Sequence, residues 1–410
     1  MESRIGKAIE AEVGELREIR RDLHAHPRLA FEEDHAAEVI RRELTRAGVP
    51  FAAGLAGTGI VGWIVPPGVE GRAGIAFRAD MDALPIEERT GLPHASKIPG
   101  RMHACGHDGH MAVLLGAARV LAKMRGALPR PVKLIFQPAE EPGEGAKGMI
   151  EAGALGAAIG GFPLEAIFGL HGWPQAPLGT VAVRPGPFLA STDAFRIRVE
   201  GKGGHASAPQ DAADPIVAAS HIVTALQSIP ARDVSPFAQA VITVASIHAG
   251  QADNVIPSSA TMTGTIRALD EGTAAILCRR LREVAEMTAR ALRCSAAVEV
   301  RRRVAVCAND PGATRRLIEA AGEALGPERV VEFERAMGSE DFAFYGALVP
   351  ACFFFLGLGP PGGRPGPLLH TAEFDFDDAA IPAGVAVFCR LALKEVQGAP
   401  HDDPAAPPAR

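Results

Sequence analysis

The sequence has no surplus of basic residues: 42 Lys and Arg stand against 48 Asp and Glu, a formal charge of -6 over 410 residues. Nucleic acids and anionic membranes are recognised through clustered positive charge, so neither is expected as a partner. Long apolar runs are also missing. No stretch approaches the roughly 18 apolar residues that suggest a membrane span. The N-terminus MESRIGKAIEAEVGELREIRRDLHAH is charged and helical in period, without the apolar centre of a secretory signal. A cytoplasmic location is the resulting expectation. Cysteine is sparse, with six residues (Cys105, Cys278, Cys294, Cys307, Cys352, Cys389) scattered through apolar or helical surroundings that suit reduced thiols. No internal repeat is present.

What is there is an ordinary globular composition, 47% apolar and 22% charged. A chain of this length exceeds one ordinary core, which makes two domains the prior. The apolar runs GIAFRA (74–79), VKLIFQ (132–137), AIFGL (166–170) and ACFFFLGL (351–358) alternate with helical patterns, so an α/β fold with a mostly parallel sheet flanked by helices is expected. GHMAVLLGAARVLAKM lies between the first two and completes a βαβ unit. From about 188 to 304 the texture changes. FRIRVE alternates strictly, a helix opens at Asp214-Pro215, and QAVITVASI, ATMTGTIRA, a long helix and AAVEVRRRVAV follow. That order, β-α-β-β-α-β, is a ferredoxin-like α+β unit. The expected organisation is a discontinuous catalytic domain, 1–187 and 305–396, with an inserted dimerisation or lid domain at 188–304. The Pro/Ala-rich stretch 397–410 is expected to be a disordered tail.

Residues 102–110, MHACGHDGH, hold three histidines, a cysteine and an aspartate in nine positions. Ligand sites in open α/β sheets form at the carboxyl ends of strands. GIAFRA runs into Asp80 and Asp82, VKLIFQ into Glu140-Glu141, AIFGL into His171, and the loop after ACFFFLGL carries His370. Each alone has an ordinary reading as a turn cap, a solvated carboxylate or a packed histidine. Together they suit a divalent transition metal, with enough donors for two ions. GEGAKG (143–148) matches the glycine pattern of dinucleotide sites, yet Glu140, Glu141 and Glu144 would repel a pyrophosphate.

Eight stretches in order, among them FRADMDALPIEE, MHACGHDGHMAVLLGAA, FQPAEEPGEGAKGMIEAG, GKGGHASAP and LLHTAEFDFDD, resemble the amidohydrolase branch of the dinuclear metallo-aminoacylase and carboxypeptidase superfamily. That branch includes hippurate hydrolases, N-acyl amino acid deacylases and auxin-conjugate hydrolases. The resemblance implies a metallopeptidase-like catalytic domain and two divalent ions (Mn, Zn, Ni or Co) held by Cys105, His107, Glu141, His171 and His370. It also implies Asp82 as the carboxylate orienting a ligand imidazole and Glu140 as general base. His205 would reach the partner subunit's site and, with Asn254, hold the oxyanion, while Arg267 would bind the substrate carboxylate. The expected substrate is a small N-acyl amino acid and the expected assembly a homodimer joined through the inserted domain. A dipeptidase or carboxypeptidase on the same metals is the alternative. Arg28 stands where relatives usually carry glutamate.

Overall fold

The computed structural model describes residues 2–360 and 366–394. The expected tail at 397–410 lies outside the described residues. The larger sheet has eight strands. At its centre Val132–Gln137, Gly74–Asp80, Leu164–Pro177 and Ala351–Gly359 run parallel in that spatial order. All residues of Gly74–Asp80, Val132–Gln137 and Ala351–Gly359 are buried, which is why they read as continuous apolar runs rather than alternating ones. Antiparallel pairing begins on either side of these four strands. Phe51–Leu55 and Gly59–Ile64 extend one side, and Val181–Val183 meets Ala351–Gly359 antiparallel on the other.

The chain passes from Gly74–Asp80 to Val132–Gln137 on one flank, then returns to Leu164–Pro177 on the other. A switch point of this kind opens a crevice at the carboxyl ends of the two diverging strands. The helix His107–Lys123 connects the first pair. It starts at Gly106, whose φ of 84° is left-handed, and a Cβ at Gly109 would lie 2.4 Å from the Phe376 ring. Those glycines let the helix start sit against Phe374 and Phe376 directly beneath the crevice.

The second sheet has the strand order Ala240–Ala249, Ser259–Ala268, Ser191–Glu200, Ser295–Val304, antiparallel throughout, as a split βαβ unit requires. Helices Pro215–Leu226 and Glu271–Ala291 cover one face, each with an aspartate cap: Asp214 accepts from Ile216 N and Asp270 from Thr273 N. Phe195, Ile197, Val199, Met262, Ile266, Leu277 and Leu281 form its own core. The two chain crossings into this unit pair with each other, Gly186–Leu189 against Cys307–Asn309. No helix among the described residues is long and apolar enough to cross a membrane.

One buried charge in the parallel sheet carries a testable consequence. Lys133 is fully buried, its Nζ donates to the carbonyls of Gly156 (2.6 Å) and Ala154 (3.4 Å), and it forms no ion pair among the described residues. Burial pushes its pKa down from the ordinary 10.5 to about 8. The unfolded chain therefore holds more protons between about pH 8 and 10.5, so Lys133 makes stability rise with pH across that window. In Lys133→Met this increment is absent, which urea unfolding at pH 7.5 and 10 will show as a smaller difference than in the wild type.

Candidate metal centre and cleft

The crevice at the switch point is filled with donor atoms. Cys105 Sγ lies 3.2 Å from His171 Nε2 and 3.2 Å from His370 Nε2. His370 Nε2 is 3.4 Å from Glu141 Oε1, and His107 Nε2 is 4.0 Å from the same oxygen. The structure thus brings Cys105, His107, Glu141, His171 and His370 together from four separate segments. Cys105 and His107 flank the helix start, Glu141 lies in the turn after Val132–Gln137, His171 sits within Leu164–Pro177, and His370 occupies the loop after Ala351–Gly359. The strand bearing His171 continues six residues past it, to Pro177, so His171 is mid-strand rather than at an end.

Of the three histidines in MHACGHDGH, only His107 faces these donors. His110 Nδ1 donates to Asp80 Oδ1 (2.6 Å), while its Nε2 accepts from Gly172 N (2.7 Å), which uses both ring nitrogens. His103 lies beside His24 on the other side of the loop, and burial holds its pKa down to about 4. Asp108 is claimed by helix Val13–Ala25, accepting from His24 Nδ1 (2.8 Å) and paired with Arg20 Nε (2.9 Å).

The acidic pair is set by its backbone. Asp82 accepts from the amides of both Glu140 and Glu141 at 3.0 Å, and its Oδ1 also lies 3.4 Å from His107 Nδ1. Ala139, just before the pair, has φ 52°, and His370 has φ 62°. Left-handed backbone at non-glycine residues is costly and persists where surrounding contacts fix it. His370 N donates to Ala104 O, and Ala139 N to Glu33 Oε1, which supply that fixation. Behind the pair, the buried Arg78 guanidinium donates to Asp80 (2.7 Å), Gln137 (2.9 Å), Glu340 (2.9 Å) and Asp341 (2.9 Å). Sequence reasoning missed Arg78, Arg20 and His24. For Arg78 the available signal was a charged residue inside an otherwise apolar strand.

Electrostatically the cluster asks for cations. Burial pushes the Cys105 thiol well up, and Glu141, Glu140 and Asp80 push it further. Burial also raises Glu140 well above the carboxylate range, with Glu340, Glu141 and Asp341 adding to it. At His107 burial acts downward, but Asp80 and Asp82 outweigh it and bring the imidazole to about 10. His107 Nε2 and Glu141 Oε1 are buried without a hydrogen-bond partner among the described residues. Such orphaned atoms, facing one another among soft and hard donors, fit divalent metal ions.

Beside the donors opens a cavity of about 510 Å³ lined by Glu140, Glu141, His171 and His370 on one side and by Thr192, Thr265, Arg267 and Arg303 of the smaller sheet on the other. An apolar wall of Trp173 and Phe355, stacked at 4.2 Å, completes it. Arg267 reaches this cavity and donates to Met337 O (2.7 Å). His205 and Asn254 do not line it. His205 is exposed on the short ribbon Gly204–His205 with Val255–Ile256, where Ser207 N donates to its Nδ1 (3.1 Å). Asn254 is exposed beside that ribbon, its carbonyl accepting from Ala206 N.

Buried donor atoms without partners, next to a cleft large enough for an organic molecule, are what a metal-dependent enzyme of α/β fold requires. The chain belongs to Peptidase family M20/M25/M40, whose model matches residues 76–394. It is 39% identical to the IAA-amino acid hydrolase ILR1-like 4 of Arabidopsis thaliana over 380 residues, covering 92% of this chain and 84% of that protein. It is likewise 39% identical to an N-acetylcysteine deacetylase of Bacillus subtilis over 376 residues, covering 92% and 95%. Among solved structures, a Bacillus subtilis protein described as a dinuclear metal binding peptidase from the M20 family superposes with a TM-score of 0.81 at 36% identity, covering 94% and 98%.

Proposed function

We propose that this chain is a metal-dependent amidohydrolase that cleaves N-acyl amino acids to a carboxylic acid and a free amino acid. The observation that carries the reading is Glu140, which lines the cavity beside Glu141, the carboxylate within 4.0 Å of both His107 and His370. Cys105, His107, Glu141, His171 and His370 would hold two divalent ions drawn from manganese, zinc, nickel or cobalt. Such ions supply Lewis acidity toward the amide carbonyl and lower the pKa of water to about 7. Asp82 orients the His107 ring and fixes the Glu140-Glu141 turn through its two backbone bonds. Glu140 takes a proton from the attacking water and delivers it to the departing amide nitrogen, so that the C–N bond breaks as a neutral amine leaves. Arg267 binds the α-carboxylate, a pairing suited to the planar guanidinium.

His205 and Asn254 act in this reading on the partner subunit's site, which accounts for their exposure here. The supporting surface is the edge strand Ala240–Ala249, which has one neighbour and exposes Val241 and Ile247, beside Ile216 and Val217 of the adjoining helix. A homodimer through that unit, working in the cytoplasm, is consistent with six free cysteines. The apolar wall of Trp173 and Phe355 favours an acyl group over a charged α-amino group, hence a deacylase over a dipeptidase. Assaying the metal-loaded protein against N-acetyl and N-benzoyl amino acids and against free dipeptides tests this. Hydrolysis of the acylated series at least about tenfold faster in kcat/KM is expected; faster turnover of the dipeptides would replace the reading with the dipeptidase one.

A further inference from the structure

The charges around the cavity are divided by wall. Its carboxylates lie on the donor side, where Glu340 is already bonded to Arg78. Its two guanidiniums, Arg267 and Arg303, both come from the smaller sheet, on strands Ser259–Ala268 and Ser295–Val304. Strand Ser191–Glu200 runs between them, and Thr192 is the register partner of both Arg267 and Val304. Arg303 is therefore one residue from the row that contains Arg267, about 10 Å away across two strand spacings. Side chains reaching into one cavity from that separation can hold two carboxylates a few bonds apart.

Among the described residues neither cation has an ion-pair partner. Neighbouring Arg301 pairs with Glu144 (3.0 Å), and Arg302 with Asp193 (2.7 Å) and Glu271 (2.6 Å). Arg267 and Arg303 form no ion pair among the described residues, and Arg267 spends one bond on a carbonyl. Burial lowers the pKa of Arg267, the response of a cation that lacks an anion.

We propose that the enzyme prefers N-acyl amino acids whose amino acid part is acidic, with the α-carboxylate on Arg267 and the side-chain carboxylate of aspartate or glutamate on Arg303. This rests on the deacylase reading above and adds a specificity-determining residue to it. The acyl group is left to the apolar wall.

The test compares kcat/KM for N-acetylglutamate and N-acetylglutamine, and for the corresponding N-benzoyl pair, on the full-length metal-loaded protein. Glutamine keeps the shape and removes the charge. Wild type is expected to favour the glutamate substrates by roughly 10- to 100-fold at low salt, the range of a charged hydrogen bond, with the preference shrinking as salt is added. Arg303→Met should bring the ratio close to one through a higher KM for the acidic substrates, and Arg303→Lys should restore part of it. Equal rates in the wild type, or a ratio that survives Arg303→Met, would overturn this inference and leave the deacylase reading standing. No hydrolysis of any of the four with metal bound would overturn both.

Discussion

Glu140→Gln lowers kcat by roughly 10³-fold or more while leaving the fold and the metal content intact, within the range that general acid and base groups supply. The reasoning is geometric. Glu140 and Glu141 are adjacent, yet only Glu141 lies within 4 Å of both His107 and His370, so the two carboxylates divide between holding cations and meeting substrate. Glutamine preserves the size of Glu140 and its backbone bond to Asp82, but cannot carry a proton from water to nitrogen. Stability should hold or rise, because the carboxylate stands among Glu340, Glu141, Asp341 and Asp82, and neutralising it relieves repulsion. Steady-state kinetics with thermal unfolding and elemental analysis on the same preparation checks all three points. A variant that keeps a tenth or more of wild-type kcat, or one that loses metal in step with activity, would move Glu140 out of the role of base.

Stripping the metals has an effect of comparable size on activity and, unlike Glu140→Gln, on stability as well. Asp80, Asp82, Glu140 and Glu141 crowd one crevice, and cations offset their repulsion. Ligands that bind only the folded chain stabilise it by about 4 kcal/mol at a thousand times their dissociation constant. Dialysis against a strong chelator is therefore expected to abolish turnover and to lower Tm by several degrees, and adding back manganese, zinc, nickel or cobalt in turn to restore both. Recovery of Tm without activity for some metals is compatible with the account. A chelated protein with unchanged Tm and full activity is not.

Legibility from sequence followed burial. The parallel strands are buried on both faces, so their apolar runs stand out, and the helix between two of them fills the turn-to-turn spacing with Met111, Leu114, Leu115, Ala118 and Leu121. The short strands Phe51–Leu55, Val181–Val183 and Val330–Glu332 carry no such mark, since three to five residues at a sheet margin have neither length nor a clean alternation. In the crowded segment, composition announced a metal but could not rank its histidines. What separates His107 from His103 and His110 is which distant group meets each ring: Asp80 and Gly172 for His110, the His24 side of the loop for His103. Those partners lie 30 to 79 residues away and are brought in by the fold, beyond the reach of local spacing. In the proposed reading, His205 and Asn254 pose the same kind of problem one level higher, because their target would lie in a second copy of the chain.

The claim on which the rest depends is that five side chains from four segments make one centre for two ions. Elemental analysis of the chain saturated with manganese and freed of loosely bound metal measures it most directly, alongside Cys105→Ala and His107→Ala. The expected result is about two ions per wild-type chain and one or none in each variant, as a shared site demands when any ligand is lost. A wild-type chain that takes up fewer than one ion at saturation, or variants that bind as many as the wild type, would contradict it.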